Sequence, residues 1–447
     1  MWKPHAVAVL LATVPLLGGC QWGVTANPSI VVDRPVALID QPLRIEIRGV
    51  PTGAMVTVRA ESQDEAGVDW TAAAQFDGTA GGVIDLTHEA PRSGSYAGTD
   101  AMGLFWSLRP RAAHPEQVLY TMRSGDTATV TLSAETDGHR ASVQVRRETI
   151  DPKVQRQPLA TGYGGLVGTM LVPPGGSRHP AVIVLGGSSG GLDESWAALL
   201  ASHGITALAL AYFRVPAMGL PAELVDIPLE YFATALAWLR AQPAVDPAHV
   251  GVVGVSRGGE LALLLAATYP QQLQAVVAYV PSSVVNGGIT ATSISTVAAW
   301  TVNGQPVPYA PFNLSAVRSS ARGAVERPAF EEPLKDASAV APAVIPVERI
   351  AGPLLLVSGT DDQLWPSDHY ADLVISRRRE HGVTYADVSL KYQGAGHFIR
   401  PPYLPTITNA YIASGRFLLY AGGTAAAYSK ADADSWPRVI DFLQRAL

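Results

Sequence analysis

The chain of 447 residues has a single cysteine, Cys20. It therefore forms no internal disulfide, and any fold it adopts outside a reducing compartment rests on its apolar core alone. Charge is also sparse, at 16% with a formal net charge of -6, and no basic stripe runs along the chain. That argues against a nucleic-acid partner, whose phosphates need clustered Lys and Arg. Cys, His and carboxylates nowhere fall at metal-ligand spacing, so no metal is expected. No cofactor motif appears either. The run Gly186-Gly187-Ser188-Ser189-Gly190-Gly191 lacks the Lys and Ser/Thr of a phosphate-binding loop and the G-x-G-x-x-G spacing, so no cofactor is assigned to it. No internal repeat is present. What the chain has in quantity is hydrophobic sequence, 48% of its residues, which excludes global disorder and supplies one large core plus a smaller domain.

Long apolar runs free of charge are confined to the beginning. Lys3 precedes a run from Ala6 to Leu17, too short for a bilayer, which needs about 20 residues. Small residues follow, as at the cut site of a secretory signal. Leu17-Gly18-Gly19-Cys20 resembles the bacterial lipobox, whose cysteine is lipidated and becomes the mature N-terminus. Residues 1–20 thus read as a lipoprotein signal, Cys20 as a lipidation site, and the protein as exported and lipid-anchored to the bacterial cell envelope. One acyl chain holds a membrane only marginally, so firm anchoring implies more than one. Later apolar runs are interrupted by charges such as Arg257 and Glu260, so the remainder reads as soluble.

Residues 28–148 alternate apolar and polar positions, as in Leu43-Arg44-Ile45-Glu46-Ile47, Met55-Val56-Thr57-Val58-Arg59 and Ala128-Thr129-Val130-Thr131-Leu132. Strict alternation marks antiparallel strands with one face buried. Gly and Pro clusters separate them, no helix-length stretch intervenes, and a small β-sandwich is expected. From residue 160 to 447 the pattern changes to an α/β class. Continuous apolar runs, Ala181–Leu185, Ile205–Ala211, Val250–Gly254, Ala275–Tyr279 and Pro353–Val357, alternate with helical spacing at Glu194–His203 and Leu229–Gln242. Strands buried on both faces and interleaved with helices predict a parallel sheet flanked by helices. A last strand is expected over Val383–Lys391 and a closing helix near Ser435–Ala446. The stretch 281–346 reads as a long irregular excursion, a lid or substrate-binding insertion.

Gly254-Val255-Ser256-Arg257-Gly258 follows one buried strand and opens the helix Gly259–Ala267. This is the strand–turn–helix setting in which G-x-S-x-G exposes a serine nucleophile. A serine hydroxyl needs a base, and the base an orienting carboxylate. In this arrangement the carboxylate and histidine follow the serine in that order. The strand Leu354–Val357 runs into Ser358-Gly359-Thr360-Asp361-Asp362. Both aspartates compete for the role, and the spacing from Gly359 and Pro366 favours Asp362. His397 lies in Gly394-Ala395-Gly396-His397-Phe398, where small neighbours leave its ring free. His369 and His381 lie on predicted helical or surface segments. An oxyanion needs preorganised donors; the candidates are the backbone N–H of Arg257 and those of Gly187 and Ser188.

Several strings carry a resemblance. They include Pro51-Thr52-Gly53, Gly94-Ser95-Tyr96, Ala101–Leu108 (AMGLFWSL), Leu199–Gly204 (LLASHG), Leu208–Phe213 (LALAYF), Leu229-Glu230-Tyr231-Phe232, Ile345–Arg349 (IPVER) and His397–Tyr403 (HFIRPPY). In these the chain resembles the acyl-CoA thioesterase and bile acid-CoA:amino acid N-acyltransferase family over nearly its whole length after the signal. The resemblance implies an immunoglobulin-like N-terminal domain before an α/β-hydrolase domain, and places the family's catalytic residues on Ser256, Asp362 and His397. Family amino-acid transferases carry a cysteine nucleophile, so a serine here implies water as acyl acceptor. Two features depart from the pattern. The family's thioesterases are intracellular, whereas this chain begins with an export signal. Arg257 and Gly258-Gly259 also follow the serine where Lys, Gly and Ala are commoner.

The expectation is a serine hydrolase that cleaves acyl thioesters, fatty acyl-CoA among them, through an acyl-enzyme. One alternative is an exported carboxylesterase or lipid hydrolase acting on non-CoA esters. Another is an inactive lipoprotein that binds a partner through its N-terminal sandwich.

Overall fold

The computed structural model describes residues 27–122, 127–159, 164–291, 294–412 and 417–447. The signal and Cys20 lie outside the described residues.

The alternating segments pair as antiparallel strands. Met55–Gln63 pairs with Asp69–Asp77 on one side and Thr127–Thr136 on the other, and His139–Glu148 extends the sheet. Val56, Val58 and Ala60 point inward while Thr57, Arg59 and Glu61 stay at least partly exposed, because successive strand residues face opposite sides. A second sheet of Ser29–Val32, Ile45–Arg48 and Val83–Asp85 contributes Ile45, Ile47 and Ile84 to the same core. The result is the expected sandwich, with one addition. Gly103–Trp106 forms a single helical turn, too short to register as a period, held by Trp106 Nε1 donating to Asp100 at 2.7 Å. A Cβ on Gly103 would overlap the ring of Tyr96, so glycine is required there.

The second domain is built on an eight-stranded sheet. Its strands in chain order are β1 (Gln155–Pro158), β2 (Val167–Val172), β3 (His179–Leu185) and β4 (Thr206–Ala211), followed by β5 (Val245–Val255), β6 (Val276–Tyr279), β7 (Leu354–Gly359) and β8 (Val388–Tyr392). The spatial order is β1-β2-β4-β3-β5-β6-β7-β8, with β1 and β2 antiparallel to their neighbours and the remaining pairs parallel. β2, β4, β6 and β7 are buried along their full length, as apolar runs covered by helices on both faces must be. The helices Ser195–Ser202, Leu229–Arg240, Arg257–Thr268, Ser367–Glu380 and Ala425–Ala446 provide that cover. This mixed sheet with its helical layers is the α/β-hydrolase fold.

Several boundaries differ from the sequence reading, and so does the excursion. The sheet starts at Gln155, ahead of residue 160, because its edge strand is polar and exposed and carries no apolar run. The last strand begins at Val388 rather than Val383. The closing helix begins at Ala425, well before Ser435, with the Thr424 hydroxyl accepting from Ala427 N–H at 3.2 Å. Pro437 lies inside that helix, and a proline there reads as a first turn, where its missing N–H costs nothing. The excursion is not structureless. Trp300–Val302 pairs with Ile227–Pro228 and Gln305–Pro306, and Gly323–Val325 joins Arg318–Ser320 to Phe417–Tyr420. The helix Arg327–Leu334 follows. Strands this short have no periodicity to read.

The domains meet through buried polar contacts. Asp40 of the sandwich lies 2.6 Å from His203 Nε2 and accepts from Trp436 Nε1 at 2.8 Å. The Thr406 N–H donates to the Trp106 carbonyl at 3.0 Å.

Candidate active site

The C-terminal ends of β3, β5 and β7 converge on one edge of the sheet, the edge where open α/β sheets build their sites. Ser256 follows β5 and precedes the helix Arg257–Thr268, with φ 57° and ψ -120°. That conformation is unfavourable for a residue with a side chain and persists only when its surroundings impose it. The two glycines of the motif supply the surroundings. A Cβ on Gly254 would overlap the carbonyl of Gly258, and one on Gly258 would overlap the carbonyls of Leu185 and Gly186. Only bare backbone lets the turn pack this close to β3. Ser256 N–H donates to Tyr279 O at 3.0 Å, and Glu260 N–H donates to Ser256 O at 3.0 Å. The elbow is thereby tied to β6 and to its own helix.

His397 lies on the loop after β8, buried, with its backbone N–H donating to Ala421 O at 3.0 Å. Its Nε2 is 2.8 Å from Ser256 Oγ and its Nδ1 is 2.9 Å from Asp362 Oδ2. Trp365 packs edge-on against the imidazole, with ring centroids 5.6 Å apart. Asp362 sits on the turn after β7, fully buried. Its Oδ1 accepts from the N–H groups of Leu364 at 3.0 Å and Trp365 at 3.2 Å, and its Oδ2 from the Ser367 hydroxyl at 2.6 Å. These donors stand in for the water shell that the buried carboxylate has lost. Asp361 points elsewhere, accepting from Gln363 Nε2 at 2.6 Å and Gly423 N–H at 2.9 Å. Of the competing aspartates, Asp362 is the one bonded to His397, and Asp361 caps the loop.

Beside the serine lies the loop after β3. A Cβ on Gly187 would stand 3.2 Å from Ser256 Cβ and 3.6 Å from its Oγ, so the backbone of Gly187 faces the nucleophile directly. Ser188 is more exposed. Arg257 is the first residue of its helix, where N–H groups have no partner within the helix. Serine, imidazole, carboxylate and these amides together form an arrangement able to attack an acyl carbon and receive the resulting oxyanion.

Beneath the elbow is a group the sequence reading used only as an interruption of an apolar run. Glu260 is fully buried. It accepts from Arg257 Nη1 at 2.7 Å, Asn286 Nδ2 at 2.8 Å, Asn286 N–H at 3.2 Å and Trp300 Nε1 at 3.1 Å. Arg257 Nη2 donates to the carbonyls of Asn286 and Gly287 at 2.9 and 3.1 Å. Burial raises the Glu260 carboxyl above its ordinary range, and the Arg257 guanidinium opposes that rise. The network fastens the start of the excursion to the helix that carries Ser256. An acidic residue at the head of the apolar stretch Leu261–Ala267 was the available signal; Asn286, Trp300 and Ser367 offered none. Among the described residues, no group of three or more His, Cys, Asp or Glu is placed to hold a metal ion, and no helix is long and apolar enough to cross a membrane.

Residues 40–161 match the family described as the acyl-CoA thioester hydrolase/BAAT N-terminal region, and residues 227–447 match the BAAT/acyl-CoA thioester hydrolase C-terminal family. The chain is 32% identical to acyl-coenzyme A thioesterase 6 of Mus musculus over 91% of its own length and 94% of the relative's. It is 30% identical to the mitochondrial acyl-coenzyme A thioesterase 2 of Mus musculus, over 100% of this chain and 95% of that one. A third relative, acyl-coenzyme A amino acid N-acyltransferase 1 of Mus musculus, is 31% identical over 92% and 96%. Two family matches in the right order and relatives aligned across both domains lead to one assignment: the chain belongs to the acyl-CoA thioester hydrolase/BAAT family.

Proposed function

We propose that this protein hydrolyses acyl thioesters, fatty acyl-CoA esters among them, with Ser256 as nucleophile, His397 as general base and acid, and Asp362 as the group that orients His397. The observation that carries the reading is the hydrogen-bonded chain Ser256–His397–Asp362, with the serine held at φ 57° against Gly187. The names of the curated relatives, acyl-coenzyme A thioesterases, support the choice of substrate.

In this mechanism Ser256 Oγ passes its proton to His397 Nε2 and attacks the thioester carbonyl carbon. The oxyanion is received by the N–H groups of Arg257 and of Gly187 or Ser188. Asp362 stabilises the imidazolium without taking its proton. Collapse breaks the C–S bond, and Nε2 returns the proton to the departing thiolate, leaving an acyl ester on Ser256. Water then gives a proton to Nε2 and attacks the same carbonyl carbon. The second collapse releases the carboxylic acid and restores the serine hydroxyl.

We further propose that residues 1–20 direct export and that Cys20 carries the lipid that anchors the protein to the cell envelope. The supporting feature is the sequence, an apolar run closing on Leu17-Gly18-Gly19-Cys20. Fractionation of cells expressing wild type and Cys20→Ser tests this. A protein equally membrane-bound in both would refute the anchor.

The same leader favours a second reading, an exported carboxylesterase, since coenzyme A esters are not expected outside the cytoplasm. The two separate in steady-state hydrolysis by the soluble form beginning at Gln21, offered fatty acyl-CoA and matched simple esters, with Ser256→Ala as control. A much higher kcat/KM for acyl-CoA supports the thioesterase. Preference for simple esters assigns the scaffold to ester cleavage. Failure of a fluorophosphonate to label Ser256 would remove both readings and leave a binding protein.

A further inference from the structure

The loop after β3 carries the candidate oxyanion donors Gly187 and Ser188, and three consecutive residues after β4 fasten it. Tyr212 donates its hydroxyl to the Gly186 carbonyl at 2.5 Å, Phe213 O accepts from Gly191 N–H at 3.0 Å, and Arg214 Nη1 donates to Ser189 O at 2.9 Å. The first of these bonds reaches the donors most directly. A peptide unit is planar, so the Gly186 carbonyl and the Gly187 N–H belong to one rigid group. Holding the oxygen fixes the plane of that N–H and the start of the turn that brings Ser188. At the far end of the same group Gly187 stands against the nucleophile, since a Cβ there would lie 3.2 Å from Ser256 Cβ. A Cβ on Gly258 would lie 2.5 Å from the Gly186 oxygen, so that carbonyl is caught between the elbow and the phenol. Among the described residues, the N–H groups of Gly187 and Ser188 donate to no protein atom and are free to meet an oxyanion.

Packing puts Tyr212 in this place. It is the first residue after β4 and is buried. Its ring meets those of Phe213, Phe232 and Trp300, with centroids 5.2, 5.5 and 5.8 Å away. Trp300 is itself bonded to Glu260 of the elbow helix. Burial raises the phenol above its ordinary range, so near neutral pH it keeps the proton it donates.

We propose that Tyr212 is a positioning residue of the reaction: by donating to the Gly186 carbonyl it fixes the peptide that presents the oxyanion donors of the 187–188 turn to the acyl group on Ser256. It touches no reacting atom and forms or breaks no covalent bond. Its hydrogen bond also polarises the peptide, which makes the N–H at the other end a stronger donor. The proposal rests on the hydrolase reading and adds to it the group that preorganises the oxyanion site.

The test uses the soluble form from Gln21 as wild type, Tyr212→Phe and Tyr231→Phe. The substrate is p-nitrophenyl butyrate, and the probe is a butyl trifluoromethyl ketone, which forms an oxyanion-bearing adduct on serine. Tyr212→Phe removes one oxygen and keeps the ring in its cluster. Its kcat should fall roughly 10- to 100-fold, short of the roughly 10²–10³-fold cost of losing a donor outright, while KM stays within about twofold. The inhibition constant of the ketone should rise by the factor by which kcat falls, because both report the oxyanion. Tyr231→Phe is the control for a lost hydroxyl. That hydroxyl accepts from Val167 N–H at 3.1 Å and donates to the Ala211 carbonyl at 2.6 Å, next to Tyr212 in sequence but off the loop. Its loss should lower Tm and leave kcat within about twofold.

A ketone bound by Tyr212→Phe as tightly as by wild type overturns the proposal, whatever happens to kcat, and so does an equal loss in Tyr231→Phe. A wild type that hydrolyses nothing and takes no fluorophosphonate removes the hydrolase reading, and this proposal with it. An active wild type beside an unaffected Tyr212→Phe removes the proposal alone. If Tyr212→Phe does not fold, the crystal structure of the wild-type ketone adduct decides. An adduct oxygen on the Gly187 or Ser188 N–H, with Tyr212 still on the Gly186 carbonyl, supports the proposal. An oxygen that meets neither amide, or a Tyr212 hydroxyl turned away from Gly186, overturns it.

Discussion

Ser367 donates its hydroxyl to Oδ2 of Asp362 at 2.6 Å, on the same oxygen that faces Nδ1 of His397 at 2.9 Å. With Oδ1 held by the Leu364 and Trp365 amides, the carboxylate is held on both oxygens. His397 must then keep its proton on Nδ1 and present a bare Nε2 to Ser256. Asp362→Asn should lower kcat by about 10³–10⁴-fold, the cost of presenting the wrong tautomer. Asp361→Asn, at a carboxylate that accepts from Gln363 and Gly423, should stay within about tenfold of wild type. Comparable losses in the two variants would show that the geometry around Asp362 is not what orients the base. The measurement is kcat on a p-nitrophenyl ester, normalised to fluorophosphonate-reactive serine.

The elbow glycines should separate folding from chemistry. Gly258→Ala places a methyl group on backbone carbonyls that cannot move away, and should yield little folded protein by circular dichroism. Gly187→Ala meets Ser256 Cβ at 3.2 Å, a contact the loop can relieve by a small shift. It should fold and yet react with fluorophosphonates at least about tenfold more slowly if the displaced amide is the proposed oxyanion donor. Unchanged labelling would place the oxyanion elsewhere.

Glu260→Ala leaves the Arg257 guanidinium buried and without its carboxylate, and should destabilise the protein by about 3–5 kcal/mol in urea unfolding. Replacing both charges, with Arg257→Met and Glu260→Met, should recover most of that loss, since no isolated buried charge remains. If the double variant is no better than the single one, the pair acts through its bonds to Asn286 and Trp300 rather than through charge.

Glu326 immediately precedes the helix Arg327–Leu334, and burial pushes its carboxyl up to about 7, which makes stability depend on pH. The folded protein holds the proton up to about 7, whereas an unfolded glutamate loses it near 4.5. Its contribution is therefore complete below 4.5 and is lost as pH rises through 7. Relative to Glu326→Gln, wild type should lose about 2 kcal/mol of unfolding free energy between about pH 5 and 8. Parallel stability curves for the two proteins would contradict the burial of this group.

Asp40 accepts from His203 and Trp436 across the domain boundary. Asp40→Ala strands the buried Trp436 Nε1 and the part-buried His203 and should cost about 1–3 kcal/mol. Calorimetry should show a lower Tm, with the two domains beginning to melt separately. A single unshifted transition would mean that apolar packing alone joins them.

Much of this organisation was written in local patterns. Alternation in Met55–Arg59 specified an antiparallel strand with one wet face, and the unbroken run Leu354–Val357 a strand covered on both. Strand–turn–helix grammar picked out Ser256, and chain order with small neighbours picked out His397, because backbone strain and close packing demand particular residue types at adjacent positions. Ser367, Asn286 and Trp300 left no such trace. Asn286 and Trp300 act on a partner distant in sequence, and a serine or asparagine in a loop looks the same whether it faces water or a carboxylate. The sequence by itself determined the two-domain plan, the nucleophile and its base. Spacing favoured Asp362 over Asp361, but the contact with His397, and the way the excursion is fastened to the elbow helix, only the tertiary structure decided. Those contacts are set by the angle at which β7, the acid turn and the residues after β8 come together, and no local pattern records that angle.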